Sequence, residues 1–283
     1  MSSQDTYSGE ATVLGLPDKS IQPGSTPHSP SALPLGSKVA TSISLILPMF
    51  NEEPCVDLTL GRALETLERH FTDFEIVVAD DASTDGSAER VQHWASEDPR
   101  IRLVRLAHNQ RFGGALRAGL AAARNEFLFY TDFDLQVGLQ CLPQMLNEFA
   151  EADILTGYAA DAVKHANWHS EIISRGYNSL VRILFGLRLR DINFGFKALR
   201  KSVWDQLALR SCSPLVDAEL FVQAKRLGYS IKEVAVPFSM RRVGTSRIRR
   251  PDVIFWTLLD MARFRLTPQP KPRSGRADCA SLR

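Results

Sequence analysis

Three short acidic segments carry the residue types that phosphate and metal chemistry needs. Asp132 and Asp134 stand one residue apart in Thr131-Asp132-Phe133-Asp134-Leu135-Gln136. Two carboxylates at that spacing can share a hard divalent cation with phosphate oxygens, because Mg²⁺ and Mn²⁺ prefer oxygen ligands and keep positions open to substrate. Asp80-Asp81-Ala82-Ser83-Thr84-Asp85-Gly86 is a second acidic segment, and Pro48-Met49-Phe50-Asn51-Glu52-Glu53 a third, with Phe50 and Glu52 suited to a base and a ribose. Each also has a plainer reading. The first is then a solvated acidic loop, the second a turn with Asp and Ser caps opening a helix, and the third an acidic first turn favoured by the helix dipole.

What must position these residues is visible just before each of them. Ile43 to Leu47 closed by Pro48, Phe74 to Ala79, and Phe127 to Tyr130 are apolar runs stopped by polar turns, the pattern of buried strands. Between them the spacing predicts helices over about 56–69, 87–96 and 113–124, and another strand over 101–106. Strands alternating with helices predict an α/β fold whose sheet is parallel at least in its first half, with ligands beyond the carboxyl ends of its strands. Further on, helices are expected over 143–151, 171–185 and 218–227, and strands over 153–157, 194–198 and 231–238.

The 283 residues carry 34 Lys+Arg against 32 Asp+Glu, a net +2, with 44% hydrophobic residues. That excludes a disordered or fibrous chain and gives no general pull toward nucleic acid. Cys55, Cys141, Cys212 and Cys279 form no C-x-x-C pair, so neither a zinc module nor a disulfide framework is indicated and a reducing cytoplasm fits. No secretory signal and no apolar run of about 18–20 residues is present, so no transmembrane helix is expected. Seventeen of the first forty residues are Ser, Gly or Pro. The expected organisation is a disordered tail over 1–40, a catalytic domain over 41–250, and an interfacial helix with a flexible end over 251–283.

The three segments occur in order, each after its own strand, and three further motifs follow. They are Asp191-Ile192-Asn193-Phe194-Gly195-Phe196-Lys197, Asp217-Ala218-Glu219-Leu220, and Arg241-Arg242-Val243-Gly244-Thr245-Ser246-Arg247. Together they resemble the inverting family 2 glycosyltransferases of the GT-A fold, most closely the branch of dolichol-phosphate mannosyl- and glucosyltransferases, over about 43–247. The resemblance implies a Rossmann-like, mostly parallel central sheet flanked by helices. It implies that Pro48, Phe50 and Glu52 line the nucleotide, that Asp80 and Asp81 contact base and ribose, and that Asp132 and Asp134, with Gln136, handle Mg²⁺ or Mn²⁺ and the diphosphate. Lys197, Arg241, Ser246 and Arg247 fall in its phosphate-handling motifs. Phe50 stands where the family usually has tyrosine, Arg111 where it often has glycine, and Gly138 where it often has proline.

Glycosyl transfer needs charge stabilised on the departing diphosphate and an acceptor oxygen placed in line behind the anomeric carbon. A sugar hydroxyl would also need a general base, whereas a phosphate monoester is already anionic. His108, His165 and His169 sit in no motif that supports such a base and are read as packing or surface residues; an acid at Asp191, Asp217 or Glu219 remains a candidate. The expected function is hexose transfer from a nucleotide sugar of the GDP-mannose or UDP-glucose type to a polyprenyl phosphate. Alternatives are a saccharide, small-molecule or protein acceptor, or a non-catalytic nucleotide-sugar or lipid-binding subunit. Seven arginines against Asp252 and Asp260 between Pro237 and Leu266, around the apolar segment Val253 to Leu259, fit an interfacial helix. That predicts a peripheral protein on the cytoplasmic face of a membrane. The other reading of this helix is packing on the catalytic domain or on a second subunit of a homo-oligomer. Nucleic acid is not expected as a partner, because no aromatic platform interleaves with the basic residues.

Overall fold

A computed structural model of the chain describes residues 39–135, 137–159, 168–237 and 251–267. Gln136, His165, the segment from Arg241 to Arg247, most of the expected N-terminal tail and the end beyond Thr267 lie outside the described residues, as does the side chain of His169.

Among the described residues one sheet contains β1 (Val39–Met49), β2 (Phe71–Asp80), β3 (Ile101–Arg105), β4 (Phe127–Thr131), β5 (Ile154–Ala159), β6 (Phe196–Arg200) and β7 (Ile231–Val236), in the order β3-β2-β1-β4-β6-β5-β7. The first four are parallel; β6 runs antiparallel to both neighbours, and β7 runs parallel to β5. The helices are α1 (Val56–His70), α2 (Ser87–Glu97), α3 (Arg111–Ala122), α4 (Leu142–Glu148), α5 (Trp168–Phe185), α6 (Lys201–Trp204), α7 (Leu215–Arg226) and α8 (Pro251–Leu266).

Alternate residues of β1 serve two cores. Leu45 and Leu47 pack with Leu60 and Leu67 of α1 and Met145 of α4. Ile46, on the other face, packs with Leu116 and Leu120 of α3, Val181 of α5, Phe221 of α7 and Met261 of α8. A strand covered on both faces is apolar over most of its length, the buried Ser44 of β1 donating to Glu75 Oε1, and each fully buried apolar side chain of this size contributes about 1.5–3 kcal/mol.

Three element ends differ from expectation for identifiable reasons. The first strand runs through Pro48, which pairs in register with Ala79, because the ladder to β4 has already ended at the Ile46–Tyr130 pair. Helix α3 stops at Ala122 because the next amides take side-chain acceptors: Arg124 N–H donates to Glu75 Oε1 (2.6 Å) and Asn125 N–H to Ser44 Oγ (3.2 Å). Burial alone would push the Glu75 carboxyl up, but the Ser44 hydroxyl, Arg124 N–H and Arg102 guanidinium hold it below its usual range. Strand β6 begins at Phe196 because Phe196 N–H turns back to Phe194 O at 2.7 Å.

Helix α8 packs on the domain. Thr257, Met261 and Phe264 are buried, and Asp260 Oδ2 accepts from Cys212 N–H (3.1 Å) and Ser213 N–H (3.0 Å). Its outer side keeps Phe255, Leu258 and Leu266 exposed. No helix among the described residues is long and apolar enough to cross a membrane.

The 211–213 loop also meets α3. Gly113 N–H donates to Cys212 O at 2.8 Å, and a Cβ on Gly113 would lie 2.3 Å from Ser211 O. Gly113→Ala is therefore expected to destabilise the protein by about 1–3 kcal/mol, read as a lower Tm in thermal melts; an unchanged Tm would contradict this packing.

Candidate active site

The carboxyl edge of the parallel half is where the backbone is strained. Among the described residues the non-glycine positions with positive φ are Asn51 (52°), Ala82 (59°), Arg111 (62°) and Leu135 (48°). They follow β1, β2, β3 and β4 in turn. Left-handed non-glycine residues cost about 1–3 kcal/mol each and persist where the surroundings over-determine them, which is characteristic of sites.

The loops after β1 and β2 hold each other. Asn51 N–H donates to Ser83 Oγ (2.9 Å), Thr84 N–H to Asn51 Oδ1 (2.8 Å) and Glu52 N–H to Ser87 Oγ (2.9 Å). Glu53 Oε2 accepts from Gly86 N–H (3.0 Å), and a Cβ at Gly86 would collide with that carboxylate. Asn51, Glu53, Asp85 and Ser87 thus follow the turn-and-cap reading of these segments, while Phe50 and Glu52 remain partly exposed at the edge.

The paired aspartates divide. Asp80 is fully buried; its Oδ1 accepts from Ser83 N–H (3.1 Å) and its Oδ2 lies 3.3 Å from Arg105 Nε, so its carboxylate shapes the loop from within. Asp81 accepts from Gln110 N–H through Oδ1 (2.6 Å), which ties the start of α3 to this loop. Burial, against the pull of the Gln110 and Arg111 amides, pushes the Asp81 carboxyl up to about 6.

Asp132 and Asp134 leave the end of β4 and are both partly exposed, whereas Phe133 between them is buried and its carbonyl accepts from Thr59 Oγ1 at 2.9 Å. Gly195 lies directly against Asp132: Thr131 Oγ1 donates to Gly195 O at 2.6 Å, and a Cβ on Gly195 would fall 2.2 Å from Asp132 Oδ2. The glycine of the Asp191-to-Lys197 motif is therefore required by the approach of this backbone to the carboxylate.

Behind this pair, Lys197 Nζ donates to Asp217 Oδ2 (2.6 Å) and Phe194 O (2.6 Å), and Tyr130 OH donates to Asp217 Oδ1 (2.7 Å), all three side chains being buried. Burial pushes the Asp217 carboxyl up, against the pull of Lys197 and Tyr130. Glu219 is also buried; its carboxylate accepts from Arg210 N–H, Ser211 N–H and Gln223 Nε2. Asp217 and Glu219 are thus structural in this arrangement, one in an ion pair and one holding a loop, and both differ from the expectation of an acid facing substrate. Asp191 is partly exposed and lies close enough to act electrostatically on Asp217 and Tyr177. His108 is exposed.

Sequence reasoning did not anticipate Tyr130, Asp260 or Trp256 as supports. Arg111, at its left-handed position, places its guanidinium carbon 4.0 Å from the centroid of the Trp256 ring of α8. The glycine common at that position in the resembling family was the available signal, since glycine is the residue that takes positive φ freely.

The sheet order brings the β2, β1 and β4 loops side by side, and the pattern of glycosyl transferase family 2 matches residues 44–207, more than half of the chain and all three of these loops. The chain belongs to glycosyl transferase family 2. Family 2 relatives include glycosyltransferase AglD of Haloferax volcanii, 32% identical over 69% of this chain but only 32% of that protein. They include an undecaprenyl-phosphate mannosyltransferase of Micrococcus luteus, 29% identical over 72% of this chain and 86% of that one. A dolichyl-phosphate β-glucosyltransferase of Drosophila melanogaster is 27% identical over 78% of this chain and 72% of that one. The chain matches about a third of AglD's length. Among solved structures, glucosyl-3-phosphoglycerate synthase from Mycobacterium tuberculosis, crystallised with Mn²⁺, UDP and glucosyl-3-phosphoglycerate, superposes with a TM-score of 0.60 at 19% identity, covering 83% of this chain and 82% of that one. The fold of this family 2 chain is accordingly GT-A.

The raised Asp81 carboxyl gives a pH signature. The folded state holds this proton to about pH 6 and the unfolded chain only to about pH 4. The destabilisation is therefore absent below pH 4, grows as pH rises, and is complete above pH 6. Asp81→Asn is expected to melt above wild type at pH 8, by an amount corresponding to roughly 2–3 kcal/mol, with the advantage fading toward pH 4. A difference that does not depend on pH would contradict it.

Proposed function

We propose that the chain transfers a hexose, with inversion, from a nucleotide-diphosphate sugar of the GDP-mannose or UDP-glucose type to a polyprenyl phosphate. The observation that carries the reading is the presentation of Asp132 and Asp134 at the end of β4, with the Gly195 backbone against Asp132, beside the loops that hold Phe50, Glu52 and Asp81. Relatives named for undecaprenyl-phosphate and dolichyl-phosphate transfer support the acceptor class.

The donor set fits a divalent cation. Asp132 and Asp134 offer oxygens only, and among the described residues no three His, Cys, Asp or Glu side chains converge into a closed metal cage. Such a two-acid site leaves the remaining coordination positions to the donor's phosphates and water, as Mg²⁺ and Mn²⁺ prefer. When bound there, the ion would neutralise charge on the departing diphosphate. The chain's own part is placement. Gly195 and Thr131 fix the entry to the Asp132 segment, Thr59 anchors Phe133 so that Asp132 and Asp134 flank a buried ring, and Phe50, Glu52 and Asp81 bind the nucleoside. Asp80 holds the loop. Lys197, tied to Asp217, supports the strand rather than reaching a phosphate, and Pro48 closes β1. In this reading Gln136 assists at the diphosphate, and Arg241, Ser246 and Arg247 grip phosphate, guanidinium recognising it bidentately. An anionic phosphate acceptor needs little deprotonation, and Asp191 is the acid best placed to orient it. The enzyme works peripherally, at the cytoplasmic face of a membrane.

Incubation of the protein with radiolabelled GDP-mannose or UDP-glucose, Mg²⁺ or Mn²⁺ and a defined polyprenyl phosphate is expected to move label into organic-extractable lipid, and a chelator to abolish it. Metal-dependent donor hydrolysis without lipid label would instead favour a water-soluble acceptor. Asp134→Ala and Gly195→Ala are each expected to lower turnover at least 100-fold while the Tm stays close to wild type. Full turnover in Asp134→Ala would remove the metal assignment.

A further inference from the structure

The exposed basic residues at the far end of the sheet from β3 form a pocket that the transfer chemistry does not use. Arg182, from the last turn of α5, and Arg188, Leu189 and Arg190, from the connection to β6, line it together with Glu233 of β7, around a cavity of about 530 Å³. It lies on the edge strand, three positions from β4 in the sheet order, hence roughly 14 Å across the strands from the Asp132 loop at ~4.8 Å per strand.

The pocket is organised. Arg190 N–H donates to Glu233 Oε1 at 2.6 Å, and the Arg190 guanidinium carbon stacks 4.2 Å from the centroid of the Tyr158 ring. Stacking fixes the plane of a guanidinium while leaving its N–H edge free to donate. Among the described residues none of the three arginines is in a salt bridge with a carboxylate, whereas Arg100, Arg102 and Arg105 in the other half of the sheet all are. Three guanidinium groups face one carboxylate, whose Oε1 is engaged by a backbone amide, which leaves a net charge of +2 around a concave surface. Its complement is an oxyanion with several acceptor oxygens, because forked guanidinium donors match phosphate geometry.

We propose that this pocket is a phosphate-binding site, separate from the Asp132–Asp134 site, that accepts a phosphate monoester or diester. Two sources carry that group: a soluble phosphate, or the head group of an anionic lipid. The surroundings favour the lipid. Ile183 and Leu184, 80% and 36% exposed, directly follow Arg182, and Phe185 touches Phe264 of α8 (ring centroids 5.3 Å apart), beside the exposed Arg263, Arg265 and Leu266. Apolar side chains next to Arg182, which holds no salt bridge among the described residues, suit a head group at a bilayer surface. The site does not depend on the proposed transfer reaction.

The test uses the full chain, its Arg188→Ala/Arg190→Ala double variant and Glu233→Gln. Each is offered vesicles of phosphatidylcholine with or without 30 mol% phosphatidylglycerol (roughly the anionic content that makes leaflet electrostatics measurable), and separately inorganic phosphate followed by ³¹P NMR line broadening. Wild type is expected to sediment with the anionic vesicles, the double variant to lose at least about fivefold in partition coefficient, and Glu233→Gln to gain about twofold, since it removes the one opposing charge but keeps an acceptor for Arg190 N–H. Thermal melts show whether each variant is folded. The same ordering seen only with inorganic phosphate supports the site and makes its ligand a soluble phosphate. Indistinguishable behaviour of the folded proteins with both probes overturns the proposal.

Discussion

The seam between β4 and β6 is the constraint on which the rest of the site depends. It is the place where a parallel sheet accepts an antiparallel strand, and it is fastened by a buried ammonium. Lys197 on β6 reaches Asp217 on α7 and the Phe194 carbonyl, and Asp217 also receives the hydroxyl of Tyr130 on β4. Burying two charges is unfavourable unless geometry and further hydrogen bonds offset it, and losing one partner of such a pair typically costs about 3–5 kcal/mol. Here both carboxylate oxygens are engaged at 2.6 and 2.7 Å. One network therefore joins the strand that ends just before Asp132 to the strand that begins beside Gly195, and the distance between those two backbones decides where the Asp132 carboxylate stands.

Backbone strain is concentrated at the carboxyl edge of the parallel strands. A left-handed residue follows each of β1 to β4: Asn51, Ala82 and Leu135 lie in the loops themselves, and Arg111 opens α3. What holds each turn is specific: Ser83 and Thr84 for Asn51, the Asp80 carboxylate accepting from Ser83 N–H for Ala82, the Trp256 ring for Arg111, and the Asp132 carbonyl accepting from Leu135 N–H for Leu135. The edge is stiff because separate loops satisfy one another's amides, and stiffness is what a site gains when its charges must not reorganise during reaction.

Much of this was legible in the residues. The apolar runs gave the strands within a few residues because a sheet covered on both faces is apolar over most of its length, and the position of Asp81, Asp132 and Asp134 just past strand ends followed from those runs. The division of labour among the acids was not legible. Asp80 and Asp81 are adjacent and chemically identical, yet one points inward to Arg105 and the other receives the start of α3. Only the loop conformation separates them. Asp217 and Glu219 sit two apart in a motif, but α7 is enclosed over most of its length, so neither faces the edge. Burial of a whole helix is a tertiary fact, and the weak amphipathic pattern of α7 is consistent with it only in retrospect.

Helix α8 packs on the domain through one face. Its composition pointed either to a membrane interface or to packing, and the contacts observed are those of packing on the domain. Thr257, Met261 and Phe264 enter the core, Asp260 caps the 212–213 amides, and Trp256 carries Arg111, while Phe255, Leu258 and Leu266 are left outside. The inner contacts reach the Gln110–Arg111 turn that closes over Asp81. The inner face of the helix thus supports the Asp81 loop through Arg111, whose own turn binds Asp81 by the Gln110 amide.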